Sequence, residues 1–306
     1  MNAGLLDEDV VIAADIGGSH ITVAPVNLSS ATTEQDKLVR VRINSKGTKK
    51  EILQSWLQAL EHVFSACAER PNKLAVAMPG PFDYQQGIAY MRGMDKYEHL
   101  YGTSIRQVLA EGLGIPDHQV LFRNDAEAFL HGEVATNLVG KDERVLGLTL
   151  GTGMGTAFSY ERKTVDINLG SEHYQASIAD DYFTTRWFKR RCVELGGVPI
   201  DGVEQLTAGA GKNKIVDLIF EEYATCLAAF LAPHLKRLDI DTVVFGGNIT
   251  KAYTLFLPQL LTLWADAKLT PAVKLAQQGE QSAMIGAAFL FEDQNNSFKY
   301  STIASS

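Results

Sequence analysis

At 306 residues, with 46% hydrophobic and 21% charged side chains, the chain can fill two ordinary domain cores and is too apolar to be disordered. Its formal charge of −8 argues against a nucleic-acid surface, and no basic amphipathic stretch offsets it. No apolar run approaches the roughly 20 residues that span a bilayer, and the opening MNAGLLDEDV lacks the basic and apolar regions of a secretory signal.

Residues 10–27, VVIAADIGGSHITVAPVN, are an apolar run ending in Asp15, a bend at Gly17 and Gly18, and a returning apolar run. Two such runs about a glycine bend predict a β-hairpin. Glycine lets backbone N–H groups face an anion at close range. A carboxylate in the same turn offers a hydrated divalent cation a ligand through water, so the turn suits a metal-bound polyphosphate. Residues 37–44 alternate as a third, edge-like strand, and 49–69 change to helical spacing. Residues 73–78 read as a buried strand stopped by Pro79-Gly80-Pro81, a rigid loop of the kind that lines sites. Residues 82–102 are long for a connection and carry Asp83, Tyr84, Arg92, Asp95, Lys96 and Tyr97, as a substrate-facing loop does. Gly80 and Asp95 are the candidates for substrate contact in these two loops. A helix at 103–111, capped by Thr103 or Ser104, a strand at 120–122 and a helix at 125–135 follow. They leave Asn124-Asp125 at the carboxyl end of a strand.

The plan then repeats. Residues 144–160, RVLGLTLGTGMGTAFSY, form a second glycine hairpin bent at Gly151, Thr152 and Gly153. A third strand at 164–169, helices at 180–195 and 213–238 (with Pro233 as a kink), and a strand at 242–245 come next. That strand runs into Gly246-Gly247-Asn248, followed by a helix at 250–267, a strand at 272–275 and a final helix at 281–291. This is duplication of architecture without duplication of sequence. Halves of this kind leave a cleft floored by strand carboxyl ends. Asp125 at such an end is placed to accept the proton of a hydroxyl attacking a γ-phosphate, and Asn124 can hydrogen-bond a polyol. Helix capping is the other role open to this pair, and local sequence favours it. Cys67, Cys192 and Cys226 are odd in number and far apart, fitting neither a disulfide framework nor Cys-x-x-Cys zinc spacing; the expected setting is the cytoplasm.

Taken in order, DIGGSHI, MPGPFD, NDAEAFLHGEVA, LTLGTGMG and VVFGGNI resemble the motifs of the ROK family (repressors, open reading frames, kinases), within the sugar kinase, Hsp70 and actin superfamily. The resemblance implies an α/β, duplicated ribonuclease H-like fold of two lobes around a cleft. The expected division is a small N-terminal lobe, 1–124 with a C-terminal helix at about 281–306, and a larger lobe, 125–280. Asp15, Gly17, Gly18 and Ser19 match the first phosphate motif, where the family usually has Thr at the last position, with Asp15 holding Mg²⁺ through water. Gly151, Thr152 and Gly153 match the second phosphate motif, and Gly246, Gly247 and Asn248 the adenosine side. Asp125 matches the catalytic base and Asn124 its sugar-contacting neighbour.

One departure is substantial. Most members carry Gly-His and then a Cys-x-Cys-Gly-x-x-Gly-Cys zinc segment that helps position the sugar. Here the corresponding stretch, 168–181, reads NLGSEHYQASIADD, without those cysteines, and no zinc is expected. Glu172 stands for the first sugar-binding glutamate and Asp180 for the second. His173 is too close to Glu172 for the usual Glu-x-x-His spacing, and a solvated turn is the other reading of both.

The expected activity is ATP- and Mg²⁺-dependent phosphorylation of a hexose, glucose to glucose 6-phosphate, in a glucokinase-like enzyme. Its expected partners are a small-molecule sugar and nucleotide, neither nucleic acid nor membrane, and by analogy with relatives a second copy of the chain. One alternative is a sugar-sensing, non-catalytic regulator without its own DNA-binding domain, since Asp15 lies too near the start to leave room for a helix-turn-helix. The other, an actin- or Hsp70-type ATPase, is disfavoured by the Asn124-Asp125 pair and by the length.

Overall fold

The computed structural model describes residues 9–94 and 96–293. Its two compact units are Met1–Thr136 with Glu280–Ser306, and Asn137–Gly279. Asp95 and residues 294–306 of the expected closing helix lie outside the described residues.

The first unit is built on the hairpin of β1 (Val10–Ile16) and β2 (His20–Asn27), in register from Val10 opposite Asn27 to Ile16 opposite Ile21. Two short strands, β3 (Thr32–Thr33) and β4 (Val39–Arg42), pair with β2 on its outer edge. Helix α1 (Lys49–Ala66) starts at a capping box: the Thr48 hydroxyl accepts from the Glu51 N–H, and the Glu51 carboxylate accepts from the Thr48 N–H at 2.8 Å. Strand β5 (Leu74–Met78) runs parallel to β1, and a small hairpin, β6 (Phe82–Asp83) with β7 (Ile88–Ala89), leads to α2 (Ile105–Leu113). Ser104, not Thr103, caps α2. Strand β8 (Val120–Asn124), parallel to β5, feeds directly into α3 (Asp125–Ala135). Successive side chains of a strand point to opposite faces. Ile12, Ala14 and Val76 therefore pack in one cluster with α1 and α2, and Val11, Ala13, Ala75 and Ala77 in another with Ala128.

The second unit repeats the order with β9 (Val145–Leu150), β10 (Met154–Tyr160) and β11 (Lys163–Asp166), all antiparallel. A ribbon of β12 (His173–Tyr174) and β13 (Ser177–Ile178) precedes α4 (Thr185–Glu194), the one-turn α5 (Glu204–Thr207) and the long α6 (Lys214–Arg237). Strand β14 (Thr242–Gly246) lies parallel to β9; α7 (Tyr253–Asp266) and β15 (Ala272–Leu275) complete the unit. The sheet orders, β3-β2-β1-β5-β8 and β11-β10-β9-β14-β15, have one plan. Helix starts differ from the spacing-based ones where a single 3₁₀ turn intervenes, at Ala179–Asp181 before α4 and at Asn248–Ala252 before α7.

Helix α8 (Ser282–Ala288) returns the chain to the first unit and explains where the units divide. The sequence reading ended the first lobe at 124 and made it the smaller. The compact division instead falls after Thr136, which leaves α3 in the first unit and makes that unit the longer. The reason is a helix crossing without side chains between the backbones. A Cβ on Gly286 would stand 1.8 Å from the Ala128 carbonyl oxygen, and one on Gly132 would stand 2.0 Å from that of Ser282. The buried Glu133 carboxylate accepts from the Ser282 hydroxyl across the same crossing. No helix among the described residues is long and apolar enough to cross a membrane.

Alanine at 286 would add about 1 kcal/mol of helix propensity, but its methyl would collide with backbone that cannot rotate away. Gly286→Ala is therefore expected to lower unfolding free energy by about 3 kcal/mol, read from the urea midpoint; an unchanged midpoint would show that α3 and α8 are not locked together.

Candidate active site

In the first unit the β1–β2 bend is closed by the Gly17 N–H donating to the His20 carbonyl at 2.9 Å, leaving Gly18 and Ser19 exposed. The Tyr97 hydroxyl donates to the Gly17 carbonyl from below, so the long 82–102 loop is tied to the bend. At the end of β8, Asn124 does two jobs. Its Oδ1 caps α3, accepting from Ala126 N–H at 2.9 Å and Glu127 N–H at 3.2 Å, while its Nδ2 donates to the Tyr84 hydroxyl at 3.2 Å. Of the two roles left open by local sequence the structure shows the cap, made by Oδ1, while Nδ2 keeps a second hydrogen beyond the one given to Tyr84. Tyr84 in turn donates to the Met78 carbonyl at 3.1 Å, and its hydroxyl is 3.4 Å from where a Gly80 Cβ would be. The Pro79-Gly80-Pro81 loop, Tyr84 and Asn124 therefore form one neighbourhood.

Asp125 is half-buried, and its Oδ1 accepts from the Ala126 N–H at 2.9 Å. It faces Asp15 electrostatically. Enclosure by protein is the main reason the Asp15 carboxyl is pushed up to about 7; the Asp125 and Glu280 carboxylates add to it, and Arg40 opposes them. Two carboxylates that raise each other's cost of ionisation are a donor set that a divalent cation relieves. These residues fit a Mg²⁺ ion carried in with a nucleotide.

In the second unit the Gly151 N–H donates to the Gly153 carbonyl at 3.1 Å, and the tip at Thr152 and Gly153 is exposed. The first residue of α4 holds this bend from behind, Thr185 N–H donating to the Gly151 carbonyl at 2.8 Å. Gly246 and Gly247 sit beside it. Gly247 has φ +87°, and a Cβ there would lie 2.4 Å from the Leu150 carbonyl oxygen, so only glycine permits both the backbone angle and the approach. Asn248 opens the 3₁₀ turn that follows. Both nucleotide-side bends expected from the sequence thus meet at the ends of neighbouring strands β9 and β14.

Asp180 and Glu172, both expected to contact the sugar, have partners within the protein. Asp180 accepts from the Met154 N–H at 2.6 Å through Oδ1 and pairs with Arg186 at 2.5 Å through Oδ2, so it braces the Gly151–Gly153 bend. Glu172 pairs with Nε2 of His234, on α6, at 3.3 Å. Arg237 can only donate, so at 3.2 Å it makes Nδ1 of that ring the acceptor and leaves the hydrogen on Nε2, aimed at Glu172. Burial, helped by Arg237 and opposed by Glu172, holds His234 below the usual imidazole range. His173 lies exposed on β12. The ribbon that carries it is held by Tyr174, whose ring packs 5.2–5.3 Å from Tyr182, Phe183 and Phe230 and whose hydroxyl donates to the Cys226 carbonyl at 3.2 Å. Sequence reasoning noted Tyr84 and Tyr97 only as loop content. For Arg186 and His234 no local pattern gave a signal.

A family model described as the ROK family matches residues 11–169 and 201–294. The unmatched gap contains the ribbon and α4. The chain is 25% identical to an N-acetyl-D-glucosamine kinase of Mannheimia succiniciproducens, over 90% of this chain and 97% of that one. Its fold matches the crystal structure of a ROK family glucokinase from Streptomyces griseus in complex with glucose and AMPPNP. The TM-score is 0.75 at 18% identity, covering 92% of this chain and 98% of the other. A ROK hexokinase from Thermus thermophilus gives 0.74 at 20% identity, covering 94% and 99%. These likenesses show the duplicated ribonuclease H-like α/β fold.

The raised Asp15 carboxyl has a signed consequence for the ligand-free protein. Its folded pKa lies above the ordinary 3.8, so the stability it contributes is present below about pH 4 and is lost as pH rises through about 7. Asp15→Asn removes that loss. Its melting temperature is expected to equal the wild type's near pH 4 and to exceed it increasingly up to pH 8; equal curves at pH 8 would show that ionising the enclosed Asp15 carboxyl costs the fold nothing.

Proposed function

The chain belongs to the ROK family, and from that premise we propose that it is an ATP-dependent hexose kinase with Asp125 as its general base. The observation that carries the reading is the placing of Asp125 at the carboxyl end of β8, beside a glycine bend whose own carboxylate, Asp15, it repels. Mg²⁺-ATP, when bound, supplies the phosphoryl group and a charge that both carboxylates can share. Asp125 takes the proton from the attacking sugar hydroxyl, and Asn124 orients a neighbouring hydroxyl through its second amide hydrogen. Backbone N–H groups at Gly18 and Ser19, exposed at the first unit's bend, offset charge that develops on the phosphates. Tyr97 acts through that bend by holding it in shape.

The sequence alone pointed to glucose. The N-acetyl-D-glucosamine kinase among the relatives supports an N-acetylated hexose instead, and this is the substrate class we favour. Measuring sugar-dependent ADP release with glucose, N-acetylglucosamine and N-acetylgalactosamine decides between them. Release without dependence on sugar supports an ATPase, and a chain that binds sugar without releasing ADP supports a sensor.

Asp125→Asn keeps the α3 cap and nearly the same shape while removing the base. Turnover is expected to fall about 10²–10⁴-fold, with AMPPNP binding unchanged in calorimetry. Substantial residual turnover would refute the assignment of the base.

A further inference from the structure

Lys96 is half-buried and lies across the first unit's glycine bend, its Cδ 3.8 Å from where a Gly18 Cβ would be. Its neighbour fixes that position. Tyr97 is wholly buried with φ +58°, and its N–H donates to the Ser45 carbonyl at 2.7 Å. Its ring meets Trp56 edge-on at 5.2 Å, and its hydroxyl donates to the Gly17 carbonyl. Residues 96 and 97 therefore flank successive residues of the bend, Lys96 with its aliphatic stem beside Gly18 and Tyr97 with a hydrogen bond to Gly17.

The Lys96 ammonium makes no ion pair or hydrogen bond among the described residues. Most of the described lysines share that state; this one differs in where it lies. Its position in the fold adds a reason. Gly18 and Ser19 lie exposed at the bend, yet Asp15, which ends the strand leading into it, and Asp125, which acts on Asp15, both repel an anion. A cation beside the exposed Gly18 supplies the attraction that the two acids take away. A lysine suits this role because a compact charge on a flexible stem can follow a phosphoryl group as it moves from donor to acceptor.

We propose that Lys96 is a phosphate clamp: its ammonium holds the terminal phosphate of a nucleoside triphosphate at the Gly17-Gly18 bend and stabilises the charge spread over the transferred group. The proposal rests on the kinase reading above. It selects the terminal phosphate because the bend shares a unit with the base, and the group nearest the base is the one that is transferred.

The test compares binding of Mg²⁺-AMPPNP and Mg²⁺-ADP in Lys96→Met, which keeps the stem on Gly18 and drops the charge, and in Lys96→Arg, which keeps the charge. Lys96→Met is expected to weaken AMPPNP about ten-fold and leave ADP within about two-fold, while kcat falls about 100-fold at unchanged sugar KM. Lys96→Arg restores most of both. Equal weakening of the two nucleotides would reduce Lys96 to a prop for the bend, and unchanged AMPPNP binding in Lys96→Met would also overturn the clamp. If the wild-type chain phosphorylates no sugar, the kinase reading fails, and the AMPPNP-to-ADP comparison still decides the clamp.

Discussion

Asp15 and Asp125 are held where each makes the other's charge more costly, and much of the first unit serves to keep them there. Asp15 is fixed by hairpin register, opposite Thr22 on β2 and level with Ala77 on β5. Asp125 is fixed because β8 runs into α3 without a loop, and the Asn124 cap sets where the helix begins. Helix α3 cannot shift while its backbone is in contact with that of α8. Burial of Asp15, with the Asp125 charge added to it, costs stability unless a partner offsets it; on the kinase reading proposed above, that partner is a cation carried in with a polyphosphate.

The second unit solves a different problem with the same sheet. Its bends carry no acid of their own, and their shape comes from outside: the α4 amino end holds Gly151, Asp180 holds Met154, and Gly247 packs on Leu150. Backbone N–H groups that are already oriented bind an anion without the cost of ordering a loop. The salt bridge from Asp180 to the exposed Arg186 adds little by itself; the short bond from the Met154 N–H to the same carboxylate is the one that shapes the turn.

The family match is interrupted from 170 to 200, across most of the stretch where the sequence departs from the expected motif. There the structure has a two-stranded ribbon whose Tyr174 sits among three other rings. Aromatic packing of this kind contributes of the order of 1 kcal/mol per pair beyond area burial and places no demand on cysteine. Glu172, just before the ribbon, pairs with His234. Its sugar-binding role, carried over from the motif, has a competitor for its carboxylate.

The alternating and helical periodicities were enough to determine both hairpins, the parallel strands and the main helices, because a strand or helix face buried in a core must be apolar at a fixed spacing. The glycine bends and the Asn124-Asp125 junction were legible for a related reason: turn chemistry is local and leaves its mark on adjacent residues. Contacts between residues distant in sequence were not legible. That Asp180 braces a bend 26 residues earlier, that His234 faces Glu172, that α3 belongs with α8, and that Lys96 rests on Gly18 depend on which surfaces the folded backbone brings together. No spacing rule encodes such meetings, and they are decided only when the tertiary structure closes.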